Sequence, residues 1–110
     1  MGYKLFIDDE RSPVTDDFSI CRDFFQAIQI VTINGCPEFI SFDHDLGNEG
    51  CFPYAGFTGY DFAKWLIDRD IDSVGTFIPR NFKFAVHSQN PIGAKNIQEL
   101  LDNYFTFRGY

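Results

Sequence analysis

The chain has little positive charge, only two histidines and three cysteines, and no long apolar run. Each scarcity excludes something. Lys and Arg number 9 against 16 Asp and Glu, a formal net charge of −7 over 110 residues. A surface of that sign gains little from counterion release on long nucleic acid and is repelled by anionic membrane. A small phosphorylated nucleotide, an RNA end or a protein is left as partner. Cys21, Cys36 and Cys51 are odd in number and form no C-x-x-C pair. They read as reduced thiols of a cytoplasmic protein rather than a disulfide or zinc framework. No stretch approaches the roughly 20 apolar residues of a membrane span. A strand that opens at Tyr3 leaves no room for a signal peptide. Repeats, linkers and low-complexity tracts are missing too, so residues 1–110 read as one domain, large enough to fold around its own core.

Phenylalanine is abundant, at 14 residues. Most lie in apolar runs rather than among basic residues, so they read as a bulky core, not a base-stacking surface. The runs Tyr3–Ile7 and Phe39–Phe42 read as buried strands, with shorter strands at Phe18–Arg22 and Phe82–Val86. Asp23 caps a predicted helix from Phe24 to Asn34, closed by Gly35. Thr58 and Asp61 form a capping box opening a helix through Trp65 to Arg69. Asn90 and Pro91 open another helix, to Asn103, and Tyr104–Arg108 reads as a last strand. The segment Arg11–Asp17 is too polar and Pro-broken for a long helix, and Gly47–Phe57 is a glycine-rich loop. Strands alternating with helices imply an α/β fold with a doubly wound parallel sheet.

Two acidic clusters follow the two most apolar strands: Asp8-Asp9 after the first and Asp43-His44-Asp45 after the third. In parallel α/β sheets ligands bind outside the carboxyl ends of the strands. Carboxylates meeting there repel one another unless a cation or a shared proton offsets the charge. Both histidines of the chain, His44 and His87, also fall at strand ends.

The layout, with Leu5-Phe6-Ile7-Asp8-Asp9-Glu10, Ile40-Ser41-Phe42-Asp43, Ser88 and Phe107-Arg108-Gly109-Tyr110, resembles the response-regulator receiver domain. The strings Ser41-Phe42-Asp43-His44-Asp45-Leu46-Gly47, Thr58-Gly59-Tyr60-Asp61 and Val86-His87-Ser88-Gln89-Asn90-Pro91 resemble a narrower, receiver-derived family of phages and bacteria, the cyclic-phosphate processing receiver domain. The resemblance implies a flavodoxin-like three-layer sandwich around a five-stranded parallel sheet of order 2-1-3-4-5, its first and last helices reduced or missing. It also implies a role in opening cyclic phosphates at RNA 2′,3′-ends or in nucleotides. Asp43 is then at the phospho-acceptor position, Arg108 at the receiver's lysine position, and Asp45 where receivers offer a backbone carbonyl to the metal.

Asp8, Asp9, Asp43 and Asp45 are therefore the candidate holders of Mg²⁺ or Mn²⁺, hard ions that prefer carboxylate oxygen. Opening a cyclic phosphate needs a base for water and an acid for the leaving ribose oxygen, and histidine suits both roles. Asp43, His44 and His87 are the candidate catalytic residues, with His44 the acid. Strand alternation could instead send both rings to the face opposite Asp43 and Ser88, where they would support the site residues or pack. Ser88, Gln89 and Asn90, opening a helix whose amides favour anions, are expected to cradle the phosphate with Arg108. The expected function is a metal-assisted phosphodiesterase. The alternatives are a non-catalytic nucleotide-binding or interaction module, and a signalling receiver phosphorylated on Asp43.

Overall fold

The computed structural model describes residues 2–46 and 57–109. Four strands, β1 (Lys4–Ile7), β2 (Phe18–Cys21), β3 (Phe39–Phe42) and β4 (Lys83–Val86), form one parallel sheet in the order β2-β1-β3-β4. Leu5, Ile7, Ile40 and Phe42 are fully buried, as expected of central parallel strands covered by helices. The edge strand β2 buries only Cys21.

Three helices follow the caps read from the sequence. In α1 (Phe24–Asn34) the Asp23 carboxylate accepts from the Gln26 N–H, and α2 (Gly59–Asp72) has the Thr58–Asp61 capping box. In α3 (Pro91–Arg108) the Asn90 side chain accepts from the Gly93 N–H. The buried residues of all three helices share one core cluster with Leu5, Ile7, Cys21, Ile40 and Phe42. Successive strand residues point to opposite faces, so the three helices lie on one side of the sheet. The expected three-layer sandwich is thus two layers among the described residues.

Handedness explains this. From β2 through α1 to β3, and from β3 through α2 to β4, the chain advances across the sheet in one direction. Right-handed crossovers put both helices on one face. Only β1 to β2 goes the other way, and there the segment 8–17 contains no helix.

Two expectations need correction. The helix opened by Thr58 runs past Arg69 to Asp72. It is held there by the fully buried Asp70, whose Oδ1 accepts from the Phe77 and Ile78 N–H groups at 3.0 and 2.8 Å. More consequentially, no fifth strand forms among the described residues, and Tyr104–Arg108 continues α3. The residues Tyr104-Phe105-Thr106-Phe107 have strand-forming character, but Ile97, Leu101 and Tyr104 prolong the buried stripe of the helix. The Tyr104 hydroxyl donates to Asp70 Oδ2 at 2.5 Å, and Gly109 in the left-handed region ends the helix. Packing overrode propensity. The expected loop Gly47–Phe57 falls, except for Phe57, outside the described residues. No described helix is long and apolar enough to cross a membrane.

Candidate active site

The sheet ladder extends one residue beyond the strands at their carboxyl edge. Asp8 N–H donates to Cys21 O at 3.1 Å, Asp43 N–H to Ile7 O at 2.9 Å, and His87 N–H to Phe42 O at 2.9 Å. These bonds fix three polar side chains on adjacent strand ends. Asp8, Asp9 and Asp43 each offer a carboxylate oxygen, all within 4.8 Å of one another. They line a cavity of about 200 Å³ with Glu10, Arg11, Asp45 and Gln89.

Asp8 is the most heavily engaged. Its Oδ1 accepts from the N–H groups of Glu10 and Arg11 at 2.8 and 2.7 Å, an Asx-type turn that swings the chain off the sheet. Its Oδ2 accepts from Arg11 Nε at 3.0 Å and meets His87 Nε2 at 2.9 Å. Burial pushes the Asp8 carboxyl up, but the Arg11 and Glu10 amides, His87 and the Arg11 charge together hold it below the ordinary aspartate range. Asp43 goes the other way. Burial, then the neighbouring Asp8 charge, raise it despite the Ser88 hydroxyl, His87 and Arg11. An unequal carboxylate pair of this kind is a common mark of a functional site.

The histidines part company. His87 stacks on the Phe6 ring at 4.4 Å between centroids and meets Ser41 Oγ through Nδ1 at 2.6 Å. Its ring therefore joins Ser41 to Asp8 on the side of the sheet away from the helices. His44 turns towards α3, where a Cβ on Gly93 would lie 2.4 Å from its Cγ, and its Nδ1 meets Asp45 Oδ1 at 2.9 Å. That contact holds the Asp45 carboxyl below its ordinary range. Neither ring lines the acidic cavity. The expectation that both face one crevice as an acid–base pair gives way to two supporting rings, one behind Asp8 and one behind Asp45. Alternation along β4 accounts for His87, which follows Phe6 and Ser41 to the same face.

The expected turn is at the rim. Gln89 lines the cavity, the Ser88 Oγ accepts from the Asn90 N–H at 3.0 Å, and Asn90 reaches Asp45 Oδ1 at 3.5 Å while capping α3. Arg108 is not at the rim. It closes the 18-residue α3, about 27 Å along the axis from the Ser88 turn. There it lies over Gly75, with Nε 4.0 Å from Asp70 Oδ2. The cation that does stand at the rim is Arg11, which the sequence reading left in a polar loop. Its guanidinium donates to the His87 carbonyl at 3.1 Å and stands 3.8 Å from Asp43 Oδ1. Arg22 braces this segment through the Asp8 and Arg11 carbonyls and the Ser12 hydroxyl. The spacing of Arg11 three residues after Asp8 was the available signal.

Gly59 also matters. A Cβ there would fall 2.0 Å from the Asp43 carbonyl oxygen, and the Gly59 N–H donates to His44 O at 2.8 Å. The start of α2 is thus seated against the backbone that carries Asp43.

A parallel sheet with an acidic cluster across the ends of its two central strands defines a receiver-like α/β domain. Residues 3–103 match the family model of the cyclic-phosphate processing receiver domain, and the chain belongs to that family. Comparison with curated proteins and with solved structures finds no match.

Proposed function

We propose that the acidic rim is the catalytic centre of a metal-assisted phosphodiesterase that opens a cyclic phosphate, in a cyclic nucleotide or at an RNA 2′,3′-end. The observation that carries this reading is the convergence of Asp8, Asp9 and Asp43 within 4.8 Å beside a guanidinium and a helix start. Three carboxylates so close suit a hard divalent ion, Mg²⁺ or Mn²⁺, and the Asp43 carboxyl, raised by burial and then by the Asp8 charge, is one that a cation would favour in its ionised form. Such an ion, when bound, polarises a phosphoryl oxygen and acidifies a coordinated water.

The chain's own residues supply the rest. Arg11, whose side chain is 42% exposed, is the proposed phosphate contact in place of Arg108, with Ser88, Gln89 and the α3 amides on the other side. In the reaction a water oxygen bonds to phosphorus, the ring P–O bond breaks, and the released ribose oxygen takes a proton. Asp43 is the proposed acceptor of the water's proton. His44, which meets Asp45 and lies off the cavity, is a positioning residue, and solvent water is the proposed proton donor. His87 is reassigned from base to positioning residue, since it touches Asp8 rather than the cavity.

The test is incubation with cyclic mono-, di- and trinucleotides and RNA bearing 2′,3′-cyclic ends, with Mg²⁺ or Mn²⁺, read by mass spectrometry. Ring opening of one class, lost in Asp43→Asn, is the expected result. Binding without turnover would make this a nucleotide-binding module, and labelling of Asp43 by acetyl phosphate would make it a signalling receiver.

A further inference from the structure

The sheet face away from the helices carries two rows of side chains defined by strand register. Across β2, β1, β3 and β4 one row reads Phe18, Lys4, Phe39, Lys83, and the next Ile20, Phe6, Ser41, Ala85. None of these residues belongs to the core cluster that the helices share. Parallel sheets are almost always covered on both faces. In the second row Phe6 and Ser41 are already buried, under the His87 ring, whereas the first row is half-buried to exposed and has room for an occupant.

The first row says which. Rings and ammonium groups alternate along it. Lys4 Nζ stands 5.7 Å from the Phe18 ring centroid, and the Phe18 and Phe39 rings lie 6.0 Å apart. Beside Phe39 opens a cavity of about 350 Å³ lined also by Lys4, Lys83, Asn81 and Glu38. Lys83 is exposed and makes no ion pair among the described residues, while Lys4 is held by Asp17 at 3.0 Å. An aliphatic helix would leave these ammonium groups facing an apolar surface. A second copy fits poorly too. Four strands of four residues present a face of about 19 by 13 Å, far short of the roughly 800 Å² per partner of a stable interface. Two-fold pairing would also set lysines against lysines.

We infer that this open face binds a short single-stranded nucleic acid, with bases on Phe39 and Phe18 and phosphates on Lys83 and Lys4. An open sheet with aromatic side chains and flanking cations is a general solution for unpaired bases. The chain's charge of −7 disfavours long duplex, but two or three nucleotides meet only this row. The inference does not depend on catalysis at the rim.

The experiment is fluorescence anisotropy with end-labelled octanucleotides of oligo(U) RNA and oligo(dT) DNA, and a labelled RNA duplex, over a range of salt. Saturable binding of the single strands but not the duplex is expected, with log Kd rising against log salt with a slope of about 0.7 for a phosphate on Lys83, and up to about 1.4 where Lys4 leaves Asp17 for a second. Phe39→Ala should weaken binding roughly tenfold through lost stacking. The exposed Lys83→Glu should weaken it at least as much without disturbing the fold, and Lys95→Glu on α3 should leave it unchanged. Tighter binding of RNA than DNA assigns the site to RNA; equal binding assigns it to either strand. No saturable binding of either strand, or equal binding by Lys83→Glu, overturns the proposal. So does a dimer, detected by light scattering, that Lys83→Glu dissolves while no strand binds.

Discussion

Gly59→Ala tests how the fold holds the candidate site. The added Cβ would meet the Asp43 carbonyl oxygen at 2.0 Å, its carbon at 3.0 Å and His44 Cα at 3.4 Å. The first approach is about 1 Å closer than real Cβ contacts come. All three neighbours are backbone, so no side chain can rotate away. Neither segment is free to yield, because Asp43 N–H is bonded to Ile7 O and Gly59 N–H to His44 O. Alanine in a helix gains up to about 1 kcal/mol over glycine, and the gain is smaller at a first turn. Overpacking a rigid contact costs about 1–3 kcal/mol, occasionally more. The clash therefore wins, with a net loss of about 1–2 kcal/mol. At this chain length that lowers Tm by about 4–10 °C. Differential scanning fluorimetry measures the loss, and the same titration with Mg²⁺ or Mn²⁺ reads whether Asp43 has moved. Gly109→Ala is the control, since its left-handed backbone carries a strain cost and nothing lies within 4 Å of the added Cβ. A Gly59→Ala protein as stable as wild type, with an undiminished metal response, would refute the reasoning.

Asp43→Asn should raise the metal-free Tm at neutral pH. The folded Asp43 carboxyl lies above its ordinary value, so its ionisation costs stability as pH rises from the unfolded pKa of about 3.9 through the folded one. The advantage of the variant should vanish below about pH 4 in pH-dependent melts, and the variant should show no metal-induced gain at any pH. His87→Ala should weaken metal binding about 10–100-fold by calorimetry, as loss of an orienting partner does, whereas unchanged affinity would leave the ring a packing residue. Tyr104→Phe, which strips the hydroxyl from the fully buried Asp70, should cost about 1.5–3 kcal/mol in urea denaturation. Burial, the largest influence on each, pushes the Cys21 and Cys36 thiols up to about 12. Both should therefore resist iodoacetamide at pH 8 in the folded protein and react on unfolding, as peptide mapping would show.

The elements with one dominant local signal were legible in the sequence. Apolar runs gave β1 and β3, and the caps Asp23, Thr58–Asp61 and Asn90-Pro91 gave every helix start. Two strand ends placed Asp8, Asp9 and Asp43 at one sheet edge, and the receiver resemblance, which makes the first and third strands neighbours, implied that they meet. What failed was long-range. Nothing local says that Tyr104 belongs to a helix, because the deciding partner is Asp70, 34 residues away. That error carried Arg108 to the wrong end of the molecule. The histidines were misplaced for a simpler reason. Alternation turns His44 away from Asp43, whereas His87, turned away from Ser88, keeps to the face of Phe6 and Ser41 and reaches Asp8 from behind.

The reduction of the β1–β2 crossover ties fold to chemistry. A parallel sheet normally places a helix on each side, and handedness assigns this crossover alone to the far face. With 8–17 lacking a helix, the carboxylate of Asp8 rather than a helical hydrogen bond satisfies the amides of Glu10 and Arg11. The same turn brings the Arg11 side chain back over Asp8 and towards Asp43, supplying a guanidinium that the distant Arg108 cannot. Bare of a helix, the far face also leaves room for the His87 ring on Phe6, which braces Asp8 from behind. A full helix after β1 would occupy the space of both devices. The missing helix is therefore what allows the acidic rim to hold its own cation and its own brace.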